Sequence, residues 1–250
     1  MVNFNNSKNV IVIPARLGSN RVKLKNLRLL NGKPLISYVI DACKLSSLSK
    51  NIFVNSDSEL FQNICNEKNI SLYLRPKELA TSQSLIDDYL YEFMSNTNYD
   101  NLILVNPTSP FISHETIRKA FESFLVNSYD TLIACENIQT HCFFKNETIN
   151  FDIQGQHPRS QDLDPIKALN FAVSIWNTSA FKKNYKKNNY GVYTGKIGLY
   201  PIEGVEAIDI DYEKDFLLAE YVMSLSGVNS RAEYPDYVNE FLRINPDIKN

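Results

Sequence analysis

Four cations fall within ten residues near the start of the chain, Arg16, Arg21, Lys23 and Lys25. They lie in the stretch Ile13-Pro14-Ala15-Arg16-Leu17-Gly18-Ser19-Asn20-Arg21-Val22-Lys23-Leu24-Lys25-Asn26. Arginine grips phosphate oxygens two at a time and lysine acts as a point charge, so such a loop can surround a polyphosphate. Far along the chain, Asp209 and Asp211 stand two apart in Ala207-Ile208-Asp209-Ile210-Asp211, with Glu213 and Asp215 close behind. Residues two apart on a strand share a face. Two carboxylates projecting together beside a triphosphate suit Mg²⁺, which takes one or two carboxylates along with phosphate oxygens. A cation loop and a carboxylate pair are equipment for phosphoryl-type transfer, where positioning and charge neutralisation do most of the catalysis. Taken singly, each also reads as a solvated charged surface.

Composition narrows the chemistry. The chain has 250 residues and 28.7 kDa, 44% of it apolar and 22% charged, as in soluble globular proteins. It holds only eight glycines, about half the usual share of ~7%. There is no G-x-G-x-x-G and no G-x-x-x-x-G-K-[ST]; the nearest approach, Gly191-Val192-Tyr193-Thr194-Gly195-Lys196, is one residue short. A glycine-cradled dinucleotide or Walker-type site is therefore excluded, and side chains must supply the grip. The net charge of −2 gives no general attraction to nucleic acid. Its distribution is uneven: residues 1–40 carry seven cations and no acid, and residues 41–250 carry nineteen cations and twenty-eight acids. A basic amino-terminal segment on an acidic body predicts a local anionic ligand.

Cys43, Cys65, Cys135 and Cys142 show no CxxC spacing, and the three histidines form no ligand pattern with them. His141-Cys142 reads as a loop pair. No signal peptide opens the chain and no apolar run approaches the ~20 residues of a membrane span, so the expectation is a cytoplasmic protein with no membrane partner.

The elements that must position these groups follow from hydrophobic periodicity. Asn9-Val10-Ile11-Val12-Ile13, Asn51-Ile52-Phe53-Val54 and Asn101-Leu102-Ile103-Leu104-Val105 are continuous apolar runs, as in strands buried on both faces. Between them, Leu35, Ile36, Val39, Ile40 and Cys43 keep helical spacing, as do Leu60, Phe61, Ile64 and Cys65. Leu85, Ile86, Tyr89, Leu90, Phe93 and Met94 make a third stripe, and Ile117, Ala120, Phe121, Phe124 and Leu125 a fourth, with Ser113 as its N-cap. Strand–helix alternation predicts an α/β chain with a doubly wound, mostly parallel sheet, whose site lies at the carboxyl ends of the strands. After Thr131-Leu132-Ile133-Ala134 the rhythm breaks, and residues 136–176 read as an inserted hairpin region. A strand at Lys196–Tyr200 and a helix through Phe216, Leu217, Ala219 and Val222 follow. Residues 1–250 read as one domain, with a peripheral tail at about 227–250. Lys182-Lys183-Asn184-Tyr185-Lys186-Lys187 reads as a solvated surface, and Trp176 as core.

The loop Ile13–Asn26 resembles the signature I-P-A-R-x-G-S-K, spacer, K-N, of the cytidylyltransferases that activate nine-carbon acidic sugars, the acylneuraminate (CMP-sialic acid) synthetase group. The resemblance continues through Leu30-Asn31-Gly32-Lys33-Pro34-Leu35-Ile36, Arg75-Pro76-Lys77-Glu78-Leu79-Ala80, Pro107-Thr108-Ser109-Pro110, Arg159-Ser160-Gln161-Asp162-Leu163 and Ile208–Asp211 running to Asp215-Phe216. It covers about residues 9–222 in order. It implies a Rossmann-like nucleotidyltransferase fold with an inserted dimerisation arm, hence a homodimer, in which Phe143-Phe144 offer an apolar patch. It implies a Mg²⁺-dependent enzyme that couples CTP to a nonulosonic acid and releases pyrophosphate, by in-line attack of the anomeric hydroxyl on the α-phosphorus. On the resemblance, Ala15, Arg16, Ser19, Arg21, Lys25, Asn26 and Arg75 would hold the nucleotide. Asn106, Arg159, Gln161 and Lys145 would meet the sugar, and Asp209 and Asp211 the metal. Arg16, Lys25 and Asp211 would be catalytic, with the base either Asp211 or a metal-bound hydroxide, since no histidine lies in these motifs.

The chain also departs from the pattern. Asn20 stands where the family has Lys, Asn106 where it has Gln, and Asp164 where Pro is common; the segment after Ala80 is one residue short. An eight-carbon ulosonate or a phosphonate as the acid, or a non-catalytic nucleotide-binding homologue, are the alternatives. An Asp-x-Asp pair also marks glycosyltransferases that use nucleotide sugars, but there it is expected mid-chain, where this chain has Val105-Asn106-Pro107.

Overall fold

The computed structural model describes residues 8–19 and 21–225, with Arg243 and Ile244. The departure at Asn20 and nearly all of the expected tail lie outside the described residues. The strands in chain order are β1 (Asn9–Pro14), β2 (Leu29–Leu30), β3 (Lys33–Pro34), β4 (Ile52–Ser56), β5 (Ser71–Leu74), β6 (Asn101–Val105), β7 (Thr131–Ile138), β8 (Phe143–Phe144), β9 (Glu147–Thr148), β10 (Ile166–Asn177) and β11 (Ile197–Pro201). The helices are α1 (Leu35–Ser46), α2 (Gln62–Lys68), α3 (Ile86–Asn96), α4 (His114–Val126), α5 (Thr178–Asn188) and α6 (Glu213–Ser224).

Seven strands form one sheet in the order β11-β7-β10-β6-β1-β4-β5. All neighbours are parallel except β10, which runs antiparallel to both β6 and β7. The continuous apolar runs are explained by burial on both faces. Ile11 and Ile13 of β1 pack with Ile36, Val39, Ile40, Phe61, Ile64, Phe121 and Phe124, on the side of α1, α2 and α4. Val10 and Val12 pack with Leu90, Phe93, Trp176 and Phe181, on the side of α3 and α5. Successive residues of a strand point to opposite faces, so one five-residue run feeds two cores. The helical stripes fall on α1 to α4, except that Leu60 and Phe61 stand on a 3₁₀ turn before α2, Leu85 precedes α3, and Leu60 and Leu85 are exposed. The Ser113 hydroxyl caps α4 by accepting from the Thr116 N–H.

Three further features differ from the sequence reading. Strand β5 at the sheet edge has an exposed–half-buried pattern with no apolar run to mark it. Within residues 136–176, the chain makes the small β8–β9 hairpin, turning on Lys145 and Asn146 with φ of 49° and 67°. Residues 166–176 then belong to β10, an inner strand of the main sheet. Its first half alternates because it is partly exposed beside β7, and only Ala172–Trp176 is fully buried. Finally, Asp209 and Asp211 do not lie on a strand: the chain passes from a single 3₁₀ turn at Gly204–Ala207 into irregular backbone that ends at the start of α6.

A third, smaller core explains how that irregular segment is held. Val22 from the cation loop, Leu30 and Leu35 pack with Ile210, Phe216 and Ala219. The Arg28 guanidinium lies 3.9 Å from the centre of the Phe216 ring and pairs with Glu213 at 2.6 Å. The loop and the aspartate segment, nearly two hundred residues apart, thus share one set of buried side chains.

Candidate active site

The cation loop leaves the carboxyl end of β1 and is pinned at its root. The Ala15 N–H donates to Asn55 O at 2.9 Å, and the Leu17 N–H to Asp57 Oδ1 at 2.9 Å. Val22 is buried, and the left-handed turn that carries the chain into the 3₁₀ turn at Lys25–Leu27 is made by Leu24, with φ of 49°. Gly18, the residue the sequence offers for the turn, has no left-handed φ, and no described atom lies within 4 Å of where a Cβ would stand. Arg16 donates to Thr81 O at 3.1 Å, which ties the loop to the segment before α3. Arg21 reaches Asp211 Oδ1 at 2.9 Å, and Lys25 reaches the same oxygen at 3.3 Å and the Ile210 carbonyl oxygen.

The aspartates are aimed by their neighbours rather than by a pleat. Ile210 is buried in the third core and its N–H donates to Thr108 O at 2.9 Å. That contact fixes the segment to the loop after β6, with Asp209 and Asp211 on either side. The Thr108 hydroxyl donates to Asp209 Oδ1. Burial holds the Asp209 carboxyl above the usual carboxylate range; the Thr108 hydrogen bond opposes this and the Asp211 charge adds to it. Asp215 serves the helix instead. Its Oδ2 accepts from the N–H groups of Asp211 (3.0 Å) and Tyr212 (2.7 Å) and so caps α6.

These groups line a cavity of about 870 Å³ that runs along the carboxyl ends of β5, β4, β1, β6 and the flank of β10. Arg16, Ser19, Arg21, Lys25, Asn26, Arg75, Asn106, Asp209 and Asp211 all border it. Arg75 is 6% exposed, its Nε has no hydrogen-bond partner among the described residues, and its guanidinium lies 4.7 Å from the Tyr89 ring centre. Burial lowers its pKa, the mark of a cation short of counter-charge. The buried Asn26 Oδ1 is also without a partner. Unpaired donors and acceptors turned on a cationic cavity fit a polar anionic ligand. Among the described residues, no three His, Cys, Asp or Glu side chains gather as a metal cage. The pair Asp209 and Asp211, completed by phosphate oxygens, is the donor set that Mg²⁺ favours.

Four residues singled out from the sequence do not border this cavity. Ala15 is fully buried at the root of the loop, where its contribution is its backbone. Lys145 sits at the tip of the β8–β9 hairpin with its Nζ over the Phe144 ring. Arg159 is bound bidentately to Asp162, at 2.8 and 3.0 Å, on an exposed turn, and Gln161 follows on that turn. Conversely, the cavity takes in Thr81, Ser82 and Ser84, beside Ala80, where the sequence reading assigned no single residue, and Tyr89, Leu169, Asn170 and Phe171, which it did not select. For the last three the signal was the break in alternation just before the buried run Ala172–Trp176.

The chain is 32% identical over 219 residues to an N-acylneuraminate cytidylyltransferase of Streptococcus agalactiae serotype V, covering 84% of this chain and 52% of that protein. It is 34% identical over 230 residues to the CMP-N,N'-diacetyllegionaminic acid synthase of Legionella pneumophila, covering 86% of this chain and 96% of that one. The chain thus spans about half the length of the streptococcal relative and nearly all of the Legionella one. Its fold is shared with a solved CMP:2-keto-3-deoxy-manno-octonic acid synthetase in complex with CTP, with a TM-score of 0.68 at 17% identity, covering 88% of this chain and all of that one. The sequence profile of the cytidylyltransferase family matches residues 10–227. That stretch opens inside β1 and closes just beyond α6, and so takes in every residue that lines the cavity: the chain belongs to the cytidylyltransferase family.

Proposed function

We propose that the chain joins CTP to a nonulosonic acid, giving the CMP-sugar and pyrophosphate. The observation that carries this reading is the convergence of Arg16, Arg21, Lys25 and the buried Arg75 with Asp209 and Asp211 around one cavity. The family match and the N-acylneuraminate and legionaminic relatives support the class of substrate. The reaction belongs in the cytoplasm, where CTP is held; four free cysteines, three of them buried, accord with that.

In this reading Arg75 and Arg16 take phosphate oxygens, and the Asn26 side chain takes a ribose hydroxyl. Arg21 and Lys25 exchange the Asp211 carboxylate for the triphosphate, which leaves Asp211 free to act. The anomeric oxygen attacks the α-phosphorus, and the bond from that phosphorus to the oxygen bridging to the β-phosphate breaks in line. Arg16 and Lys25 neutralise the charge that builds on the departing pyrophosphate. The hydroxyl proton passes to the Asp211 carboxylate, which that exchange leaves free to accept it. Mg²⁺ held by Asp209 and Asp211 would supply Lewis-acid polarisation of the phosphates.

Arg159, Lys145 and Gln161 enter the reading only through a second copy. They stand on the segment between β7 and β10, away from the cavity of their own chain. Phe143, Phe144, Ile149 and Ile153 on that same segment are all more than half exposed. We read it as an arm that packs on a partner copy in a homodimer and brings these polar groups to the partner's sugar end.

The test is pyrophosphate release from CTP and Mg²⁺ with sialic, legionaminic and pseudaminic acids and an eight-carbon ulosonate. Release is expected with at least one nine-carbon acid, abolished by chelation. Release with none of them overturns the reading, and release with the eight-carbon acid alone moves it to that substrate.

A further inference from the structure

Strand β10 pairs with β7 as far as Leu169 opposite Cys135, and pairing resumes with Ser174 opposite Ile133. Three more residues therefore stand on β10 than on β7 in that interval, a large bulge in an inner strand. Phe171, within it, has φ of +55°. A residue with a Cβ rarely holds that conformation, and for an aromatic side chain it is an outlier that the surroundings must enforce. The enforcement is visible. Asn170 Oδ1 accepts from the Ala172 N–H at 3.2 Å, and Ala172 O accepts from the Asn106 N–H at 2.9 Å. Phe171 itself is half-buried and packs against the core that holds Leu104 and Trp176.

Leu169, Asn170 and Phe171 all border the cavity, so the strain is spent at the site. Sheet order says at which end. Arg75 follows β5, the strained bulge is in β10, and β4, β1 and β6 lie between them. With strands about 4.8 Å apart, the two flanks are separated by about 19 Å. The bulge is instead hydrogen-bonded to Asn106, which also borders the cavity and lies at the end away from Arg75, the end left for the acceptor once Arg75 takes phosphate oxygens. The loop-and-aspartate part of the cavity is charged, whereas this flank is bordered by the apolar residues Leu169 and Phe171.

We propose that Phe171 is a specificity-determining residue, its ring forming the apolar wall against which the acyl group of an acylamino substituent on the acceptor packs. This rests on the proposed activation of a nonulosonic acid by CTP. The bulge fixes how far the wall stands from Asn106, and so how long an acyl chain fits. Proteins accept backbone strain where it positions a functional group, and a strained aromatic beside the site is explained by that use.

The experiment compares the whole protein with its Phe171→Ala, Phe171→Leu and Phe171→Gly variants. The substrates are nonulosonic acids that differ only in acyl chain, from acetyl to pentanoyl, with kcat/KM for each acid and KM for CTP as readouts. Wild type is expected to lose kcat/KM steeply with chain length. Phe171→Ala and Phe171→Gly should shift the pentanoyl-to-acetyl ratio upward at least tenfold, with KM for CTP within twofold of wild type. Phe171→Gly, free to adopt the left-handed conformation, should melt no lower than Phe171→Ala and keeps the test valid if the alanine variant folds poorly. An unchanged ratio in folded variants overturns the proposal, as does a rise in KM for CTP with the ratio constant, which would place Phe171 beside the nucleotide. Wild-type protein inert with every acid overturns the activation reading itself and is told apart by that wild-type control.

Discussion

A guanidinium buried without an ion-pair partner among the described residues, as Arg75 is, raises the energy of the unliganded fold. Arg75→Met keeps most of the volume and removes the charge. It should melt at least as high as wild type without nucleotide, and lose most of the upward shift in melting temperature that CTP produces. A variant that melts several degrees lower and still responds fully to CTP would show that Arg75 is structural. Asp209 makes the same argument with the opposite charge. Its carboxyl is raised above the ordinary range by burial, so the folded chain holds the proton more tightly than the unfolded chain. Stability from this group is therefore gained as pH falls through the folded pKa, and above it the penalty for a buried carboxylate is complete. Asp209→Asn, whose amide oxygen still accepts from Thr108, should match or exceed wild type in melting temperature at pH 7–8. The difference should vanish below about pH 4, with activity down by about 10–100-fold. Thermal melts across that range, with pyrophosphate release at pH 7.5, check both statements.

At the scale of elements, the site depends on a helix that does not border the cavity. Helix α6 buries Phe216 and Ala219 against Val22 and Leu30, and through Ile210 it sets where the two carboxylates stand. Phe216→Ala should cost about 3–5 kcal/mol, as for other buried aromatics. It should also lower kcat at a temperature where the variant is fully folded, because the loop and the aspartate segment lose their common anchor. A variant that is destabilised but turns over normally when folded would separate the helix from the site. The elements also differ in how far sequence reveals them. β1, β4 and β6 are legible because both faces are buried and apolar runs mark them. The edge strand β5 and the outer half of β10 are not, because partial exposure removes the need for apolar side chains. The Asp209–Asp211 spacing suggested a strand for the right reason, since strands do place such residues together. Here irregular backbone achieves the placement, through the Ile210 N–H bond to Thr108 O and the burial of Ile210.

For the whole molecule, the segment between β7 and β10 is the proposed contact with a second copy. Phe143 and Phe144 are 57% and 65% exposed, and Ile149 and Ile153 lie on the same segment. Apolar side chains concentrated on a projecting segment mark an association surface. Replacing both phenylalanines by serine should leave the fold and melting cooperativity of the core intact and shift the protein toward monomer in light scattering. Activity should fall with the dimer if Arg159 and Lys145 serve a partner's cavity. A double variant that stays dimeric, or a wild type that is monomeric at micromolar concentration, would refute the arm as an interface. No helix among the described residues is long and apolar enough to cross a membrane.

Sequence by itself determined the layered α/β architecture and the identity of the charged groups around the cavity. Hydrophobic periodicity is a local consequence of which faces are buried, and charge density along the chain can be read without coordinates. The scarcity of glycine belongs here too, since it leaves the loop after β1 to its arginine and lysine side chains. Only the tertiary structure decided which charges meet. Arg21 and Lys25 converge on Asp211 from nearly two hundred residues away, the Arg75 Nε is buried without a partner among the described residues, and Arg159 stands away from its own chain's cavity. The bulge that brings Phe171 to the cavity also belongs to the structure, because a backbone forced into a left-handed turn by its neighbours leaves no mark in the residue it strains. Contacts between distant segments depend on how the sheet orders its strands, and that order is set by the packing of the whole chain.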